Sequence, residues 1–214
     1  STAQTAALTN AQIGAFSSEQ IAAFTTTDLQ AMKTAQIAAI TTSQISALTS
    51  EQVVALTTQQ TAALTSAQLG AMLPEQIAAI ETADVQALRT QQLAGLGNEL
   101  VAAFTTAQIV AMTGTQLSGL STSQVTALTT EQIAAIETAD LQQLRTAQVA
   151  ALSGEQIAAL TTVQISNMGG SQLAAFSADQ IVAIETADLA AVKTTQITSF
   201  TSAQVSDFSA DQMV

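Results

Sequence analysis

One charged arrangement recurs along the chain with a spacing that suggests chemistry. A Glu is followed three residues later by an Asp, and a Lys or Arg lies five residues after the Asp. Carboxylate oxygens are the ligands that Ca²⁺ prefers, so stacked copies could form a weak calcium site. The six candidate residues are Glu81, Asp84, Glu137, Asp140, Glu185 and Asp188.

A structural interpretation of the same residues is the one we favour. The sequence has no Asp-x-Asp or glycine-turn spacing around these acids. An Asp at the third position of a helix acts as a cap, and a cation at a helix C-terminal end meets the helix dipole and a nearby acid. The cations are Lys33, Arg89, Arg145 and Lys193. The sequence therefore predicts helix-end charges here, with calcium binding as the less favoured alternative.

The composition narrows the function classes further. The 214 residues include no Cys, His, Trp or Tyr, so thiolate nucleophiles, imidazole bases and the usual zinc or haem ligands are missing. We predict that the chain is not an enzyme and uses no cofactor. A net charge of −12 disfavours nucleic acid and anionic membranes as partners. No run of 18 apolar residues occurs, so no membrane insertion is expected. Ser1 in place of Met suggests a processed or excised chain, with other domains in a larger parent protein.

The charged arrangement is embedded in an eight-residue repeat, or octad, that runs from Ser1 to the end without insertion or deletion. Position four, counted from Gln4 to Gln212, is Gln in 22 of 27 octads and Asp in four, with Leu100 as the remaining case. Position five is large and apolar in 25 of 27, with Thr5 and Thr61 as exceptions. Position eight is large and apolar in all 26 octads that reach it. The sequence therefore predicts a single repeat domain over 1–214, with 27 repeats, the last incomplete.

The octad predicts one very short helix per repeat and a tight corner between repeats. Eight residues of continuous helix overshoot two turns by roughly 80°, which would rotate an apolar stripe out of any core. Thr or Ser at position one followed by Gln at position four is a capping box, and Pro74 falls at the first helical position. Positions five and eight then share a face. Helices this short must stack, so we predict an all-α solenoid.

A longer period lies over the octad. Acids at the outward position three are separated by four, three, three, four, three, three and four octads, beginning at Glu19 and ending at Asp211. This predicts about 3.4 octads per superhelical turn and an acidic stripe along a narrow rod. With coils spaced by about 8–10 Å, the rod would be roughly 65–80 Å long.

Two uncharged columns are also expected in a regular solenoid. The Gln column could add side-chain hydrogen bonds between coils. Paired Thr residues such as Thr41 and Thr42, or Thr129 and Thr130, would form columns of hydroxyls and methyls that could bind ice. We favour a capping role for these Thr residues, because each helix needs them at its start.

The segment LTTEQIAAIETADLQQLRTAQVAAL resembles the Thr/Gln/Ala octad repeats of large secreted bacterial surface proteins, described as adhesins or haem-utilisation proteins. The resemblance implies a secreted or cell-surface location and a stiff, acidic spacer that holds a functional domain away from the cell. An alternative is a filament subunit: the first and last full octads read as ordinary repeats, so uncapped ends could associate head to tail. Ice binding is the second alternative.

Overall fold

The computed structural model of the chain describes residues 1–213. Over these residues the fold is all-α, with one α-helix in each of the 26 complete octads and a 3-10 helix after them. Helices are numbered by octad, so that α10 lies in the tenth octad. The helices form two compact units, Ser1–Ala111 and Met112–Val214. The predicted solenoid of very short helices is confirmed.

The first unit contains fourteen helices of four to six residues each. They are α1 (Thr2–Ala7), α2 (Asn10–Ala15), α3 (Ser18–Ala22), α4 (Thr26–Ala31), α5 (Thr34–Ile37), α6 (Thr42–Ile45), α7 (Ser50–Val54), α8 (Thr58–Ala63), α9 (Ser66–Gly70), α10 (Pro74–Ala79), α11 (Thr82–Ala87), α12 (Thr90–Ala94), α13 (Asn98–Ala102) and α14 (Thr106–Ala111).

The second unit contains twelve helices of the same kind and the terminal 3-10 helix. They are α15 (Gly114–Gly119), α16 (Thr122–Ala127), α17 (Thr130–Ala135), α18 (Thr138–Leu141), α19 (Thr146–Ala150), α20 (Gly154–Ala158), α21 (Thr162–Asn167), α22 (Gly170–Leu173), α23 (Ala178–Ala183), α24 (Thr186–Ala190), α25 (Thr194–Ile197), α26 (Ser202–Asp207) and the 3-10 helix Ala210–Met213.

Helix starts follow the predicted capping box. In α6, Thr41 is the N-cap; its hydroxyl accepts from the backbone N–H of Gln44 at 3.3 Å, and its own N–H donates to Gln44 Oε1 at 2.7 Å. Pro74 is the first residue of α10, as predicted. Two of the otherwise orphaned donors of a helix N-terminus are satisfied in this way, which sets the same starting residue in successive octads.

Helix ends are extended corners. After α17, the C-cap Ile136 has φ −61° and ψ 127°, and Glu137, which caps the next helix, has φ −61° and ψ 141°. No residue among 1–213 has a positive φ. The corner therefore needs no left-handed glycine, which explains how Thr, Ser, Glu, Lys and Arg can all occupy position one.

The core lies where positions five and eight were predicted to meet. In α17, Ile133 is fully buried and Ile136 is 3 % exposed. The same two positions are buried in both units, except toward the chain ends. Within each unit, every helix packs against the helix three octads later, as α7 does against α10 and α20 against α23.

Side-chain size is matched between stacked helices. Position two of one helix faces position seven of the helix three octads on, where Ala is the usual residue. Gln143 replaces that Ala, and opposite it lies Gly114, where an added Cβ would come within 2.7 Å of Gln143 Oε1. The glycine thus makes room for the larger side chain.

Candidate functional site

The principal polar feature of the protein is a ladder of buried glutamine side chains, which we call the Gln ladder. Gln148 shows the geometry: its Nε2 donates to the carbonyl of Leu117 at 3.0 Å and to that of Leu120 at 2.9 Å, four octads earlier. Its Oε1 accepts from the N–H of Arg145 at 2.8 Å. One side chain therefore caps its own helix and ties it to an earlier turn.

The link repeats through both units. In every printed case Nε2 lies 2.5–2.9 Å from the carbonyl oxygen 28 residues earlier. The eight donors in the first unit are Gln36, Gln44, Gln52, Gln60, Gln68, Gln76, Gln92 and Gln108, and those in the second are Gln148, Gln156, Gln164, Gln172, Gln180, Gln196, Gln204 and Gln212. The expected hydrogen bonds between coils are confirmed.

The chemistry of the ladder explains why Gln is the residue at position four. Buried polar groups need partners, and these side chains are at most 9 % exposed. The N-cap N–H can only donate and the earlier carbonyls can only accept, so a side chain with one acceptor and two donors satisfies all of them. Packing three octads away and hydrogen bonding four octads away together bracket the predicted 3.4 octads per turn.

Asp at position four breaks the ladder, because an ionised carboxylate accepts but cannot donate. Asp84 is 2 % exposed, and its Oδ2 accepts from the hydroxyl of Thr61 at 3.2 Å. Asp28 Oδ1 accepts from Thr5 in the same way at 3.3 Å. The two octads in which Thr replaces an apolar residue at position five therefore supply donors to two of the four Asp residues. Their shared separation of 23 residues is the signal that sequence reasoning missed.

The six calcium candidates do not form a cluster. Glu81, Glu137 and Glu185 are exposed N-cap residues, each at the start of the helix that carries the matching Asp. Asp188 is 4 % exposed and accepts from the Thr162 hydroxyl at 2.6 Å. Asp140 is partly buried. Among residues 1–213, no three acidic side chains lie close enough together to hold a metal ion. Calcium binding therefore gains no support from the geometry.

The cations lie at helix starts and contact earlier helix ends. Arg145 is the N-cap of α19, and its Nη2 donates to the carbonyl of Leu120, the C-cap of α15, at 2.8 Å. Its Nε contacts Gln148 Oε1 at 3.4 Å. The expected contact with a helix C-terminal end is present, but it is made to a helix four octads back. Arg145 reinforces the Gln ladder at the carbonyl that Gln148 also uses.

Acidic residues at position three form columns on stacked helices. Glu51, Glu75 and Glu99 lie on α7, α10 and α13, which pack in that order within the first unit. Glu131, Glu155 and Asp179 repeat the arrangement on α17, α20 and α23 in the second. All six are exposed. The predicted acidic stripe is therefore present in each unit, on the solvent side and near helix N-termini, where the dipole favours negative charge.

Two carboxyl groups are tuned by these helix starts. The hydroxyl of Thr25, above all, lowers the pKa of Asp28, with help from the Thr25 backbone and from Thr5. The pKa of Glu131 is lowered first by its own backbone N–H and then by the hydroxyls of Thr129 and Thr130. Both carboxylates are thus held in the ionised form by cap geometry, which is a structural role.

The short helices, the packing three octads apart and the Gln ladder define a helical repeat protein. The chain belongs to the ALTTAQ repeat family, whose model matches residues 21–58, 77–114, 101–135, 133–169 and 181–214. Together these matches cover more than half of the sequence. No curated protein matches the chain. Within residues 1–213, every helix is too short to cross a membrane.

Proposed function

We propose that the chain is a structural repeat module, a stiff acidic spacer or stalk in an extracellular bacterial surface protein. The observation that carries the proposal is the Gln ladder. Each linked octad is held to the turn before it by apolar packing and by two buried hydrogen bonds, as Gln156 is to Val125 and Leu128. Nearest-neighbour contacts of this kind stabilise a repeat array in proportion to its length. The exposed acids keep such an array soluble.

Stiffness is the property that tests the proposal. The chain has no Cys, so Thr115→Cys and Thr195→Cys, both exposed and both in the second unit, give a unique pair for spin labels. We expect a narrow distance distribution by pulsed electron resonance. Inserting three octads between the labels should lengthen the distance by about 8–10 Å, one helix diameter. A broad distribution, or a distance unchanged by the insertion, would contradict a stiff spacer.

The location is a separate part of the proposal. It is supported by the resemblance of the octads to those of large secreted surface proteins, and it implies a larger parent protein with other domains. Antibodies against the repeat should label intact cells of the bacterium that carries the gene. Labelling only after the cells are lysed would reject a surface location and leave the spacer role open.

A second candidate function is a subunit of a head-to-tail filament. It is favoured by the structure of the two chain ends, which is argued in the next subsection. Ice binding through Thr columns gains no such support. The hydroxyls at position one, as in Thr41 and Thr129, already accept from Gln backbone N–H groups at 3.3 and 3.2 Å. Measurement of thermal hysteresis tests this alternative.

A further inference from the structure

The last three α-helices leave open a surface that is filled elsewhere in the second unit. Ile197 and Val205, at position five of α25 and α26, are 47 % and 46 % exposed, whereas the equivalent Ile165 and Leu173 are fully buried. A cavity of about 310 Å³ lies here. We define the C-terminal face as positions five and eight of α24 to α26: Leu189, Val192, Ile197, Phe200, Val205 and Phe208.

The C-terminal face also carries hydrogen-bond acceptors of a known kind. Carbonyls at positions five and eight accept from Gln Nε2 in the Gln ladder, as those of Leu173 and Phe176 accept from Gln204, both at 2.9 Å. Within residues 1–213, no Gln side chain reaches the corresponding carbonyls of α24, α25 and α26. The face therefore presents three pairs of carbonyls in the geometry that a Gln side chain fits.

The first three helices carry the matching donors. Gln4, Gln12 and Gln20 are exposed, and each uses Oε1 as the helix cap, as in the 2.8 Å bond from the Thr9 N–H to Gln12. Their Nε2 groups have no acceptor within residues 1–213. These three side chains, with Phe16 and Phe24 beside them, form what we call the N-terminal face.

Aromatic rings concentrate at the same two faces. Four of the six Phe residues of the chain lie there. Phe16 and Phe24 meet edge to face at 5.4 Å, and Phe200 and Phe208 do the same at 5.4 Å. Phe16, Phe24 and Phe208 are only partly buried. Partly exposed aromatic side chains are enriched in protein interfaces, so both faces have the composition of an interface as well as complementary hydrogen bonds.

We propose that the N-terminal face of one copy docks on the C-terminal face of a second copy, in the register of the Gln ladder. Gln4 then donates to the carbonyls of Leu189 and Val192. Gln12 donates to those of Ile197 and Phe200. Gln20 donates to those of Val205 and Phe208. The two Phe pairs meet across the contact. The number, order and chemistry of the groups match, and the contact continues the packing already present within each unit. The proposal deepens the structural role proposed above and rests on it.

A contact between two different faces leaves one of each kind free, so more than two copies can associate. Each copy carries a net charge of −12, and mutual repulsion opposes association. Because salt screens this repulsion, association should strengthen as NaCl is raised from 50 mM to 500 mM. Sedimentation velocity of the full chain should show species at multiples of 21.8 kDa, increasing with concentration.

Charge substitutions at the two faces test the register. Val205→Glu places a charge in the C-terminal face, and Gln12→Glu keeps the cap while replacing the donor with an acceptor. Each should weaken association at least ~100-fold, as burying an unpaired charge does. The matched controls, Val163→Glu and Gln59→Glu, make the same changes at exposed positions outside both faces, and they should associate as the wild type does. If Val205→Glu fails to fold, Ile197→Glu tests the same face.

A mixing experiment makes the test specific. Val205→Glu retains its N-terminal face, and Gln12→Glu retains its C-terminal face. An equimolar mixture should therefore form a dimer of one copy each, although neither variant associates alone. A wild type that stays monomeric at high concentration and high salt, or face variants that associate as well as their controls, would overturn the proposal. A monomeric wild type with narrow label distances would still support the spacer, so the two failures are distinguishable.

Discussion

The side-chain nitrogen of Gln44 lies 2.6 Å from the carbonyl oxygen of Phe16, 28 residues earlier in the chain. The same nitrogen lies 3.0 Å from the carbonyl of Ile13. Gln12 occupies the same position of its own octad, and it caps its helix through Thr9 as Gln44 does through Thr41. Gln12 has no link to an earlier turn. The two residues therefore separate the capping role of Gln from its role in the ladder.

This comparison gives the first prediction. Gln44→Leu should lower the free energy of unfolding by about 1–3 kcal/mol more than Gln12→Leu does, because only the first change leaves two buried carbonyls without a donor. Urea denaturation followed by circular dichroism measures both. Equal losses for the two variants would mean that the ladder bonds add nothing to the cap. Leu100, which is buried at position four in the native sequence, shows that Leu fits there.

The buried pair of Thr61 and Asp84 gives the second prediction. Thr61→Ile should remove the donor that the Asp84 carboxylate uses at 3.2 Å, and it should cost about 1–3 kcal/mol of stability. Adding Asp84→Gln makes both positions match the commonest octad, so the double variant should recover the loss. A double-mutant cycle measures the coupling between the two residues. Additive effects would show that the hydrogen bond contributes little.

Much of this fold is predictable from the octad, because its main determinants are local. The helix start at each Thr-x-x-Gln, the buried positions five and eight, and the exposed acids at position three all follow from the geometry of one helical turn. The outward placement of Glu131 and the capping by Thr129 need no knowledge of other octads.

The partners of each side chain in other turns are harder to predict. A period of 3.4 octads does not say whether Gln148 hydrogen-bonds to the third or the fourth earlier octad. Thr5 and Asp28 read separately as two departures from the repeat, yet the structure joins them. The calcium hypothesis had the same weakness. It assumed that acids from neighbouring turns converge, whereas Glu137 caps a helix at the surface and Asp140 lies inside the same turn.

The third prediction concerns pH. The pKa values of Asp28 and Glu131 are lower in the folded chain than in the unfolded chain, because hydroxyl and backbone donors stabilise their ionised forms. Their contribution to stability is therefore present above the unfolded pKa of about 4. It is lost as the pH falls through the lower folded pKa.

Substitution isolates this contribution from the general charge effect. Asp28→Asn and Glu131→Gln should be less stable than the wild type at pH 6, and the difference should shrink between about pH 4.5 and pH 2.5. Glu51→Gln, at the equivalent position of α7, controls for the loss of one negative charge. Thermal melts at several pH values measure the difference. A gap that is constant with pH would contradict ionised caps at these two residues.

The fourth prediction uses deletions to test the pairing between octads. Removing residues 41–48 deletes one octad outside both Thr–Asp pairs of the first unit, so every ladder position is restored by the next octad. Removing residues 65–72 also deletes one octad, but it shortens the separation of Thr61 and Asp84 from 23 residues to fifteen. Asp84 then faces Val53, which is position five of the octad that takes the place of Thr61's octad.

The two deletions should therefore differ in stability although their lengths and compositions are alike. We expect the 65–72 deletion to be about 1–3 kcal/mol less stable than the 41–48 deletion, because a buried carboxylate has lost its donor. Adding Asp84→Gln to the less stable deletion should restore it, since Gln fits the ladder where Asp does not. Deleting only residues 65–69 should abolish cooperative unfolding, because it moves polar residues into positions five and eight. Equal stability of the two octad deletions would show that pairing three octads apart does not determine which octads can be removed.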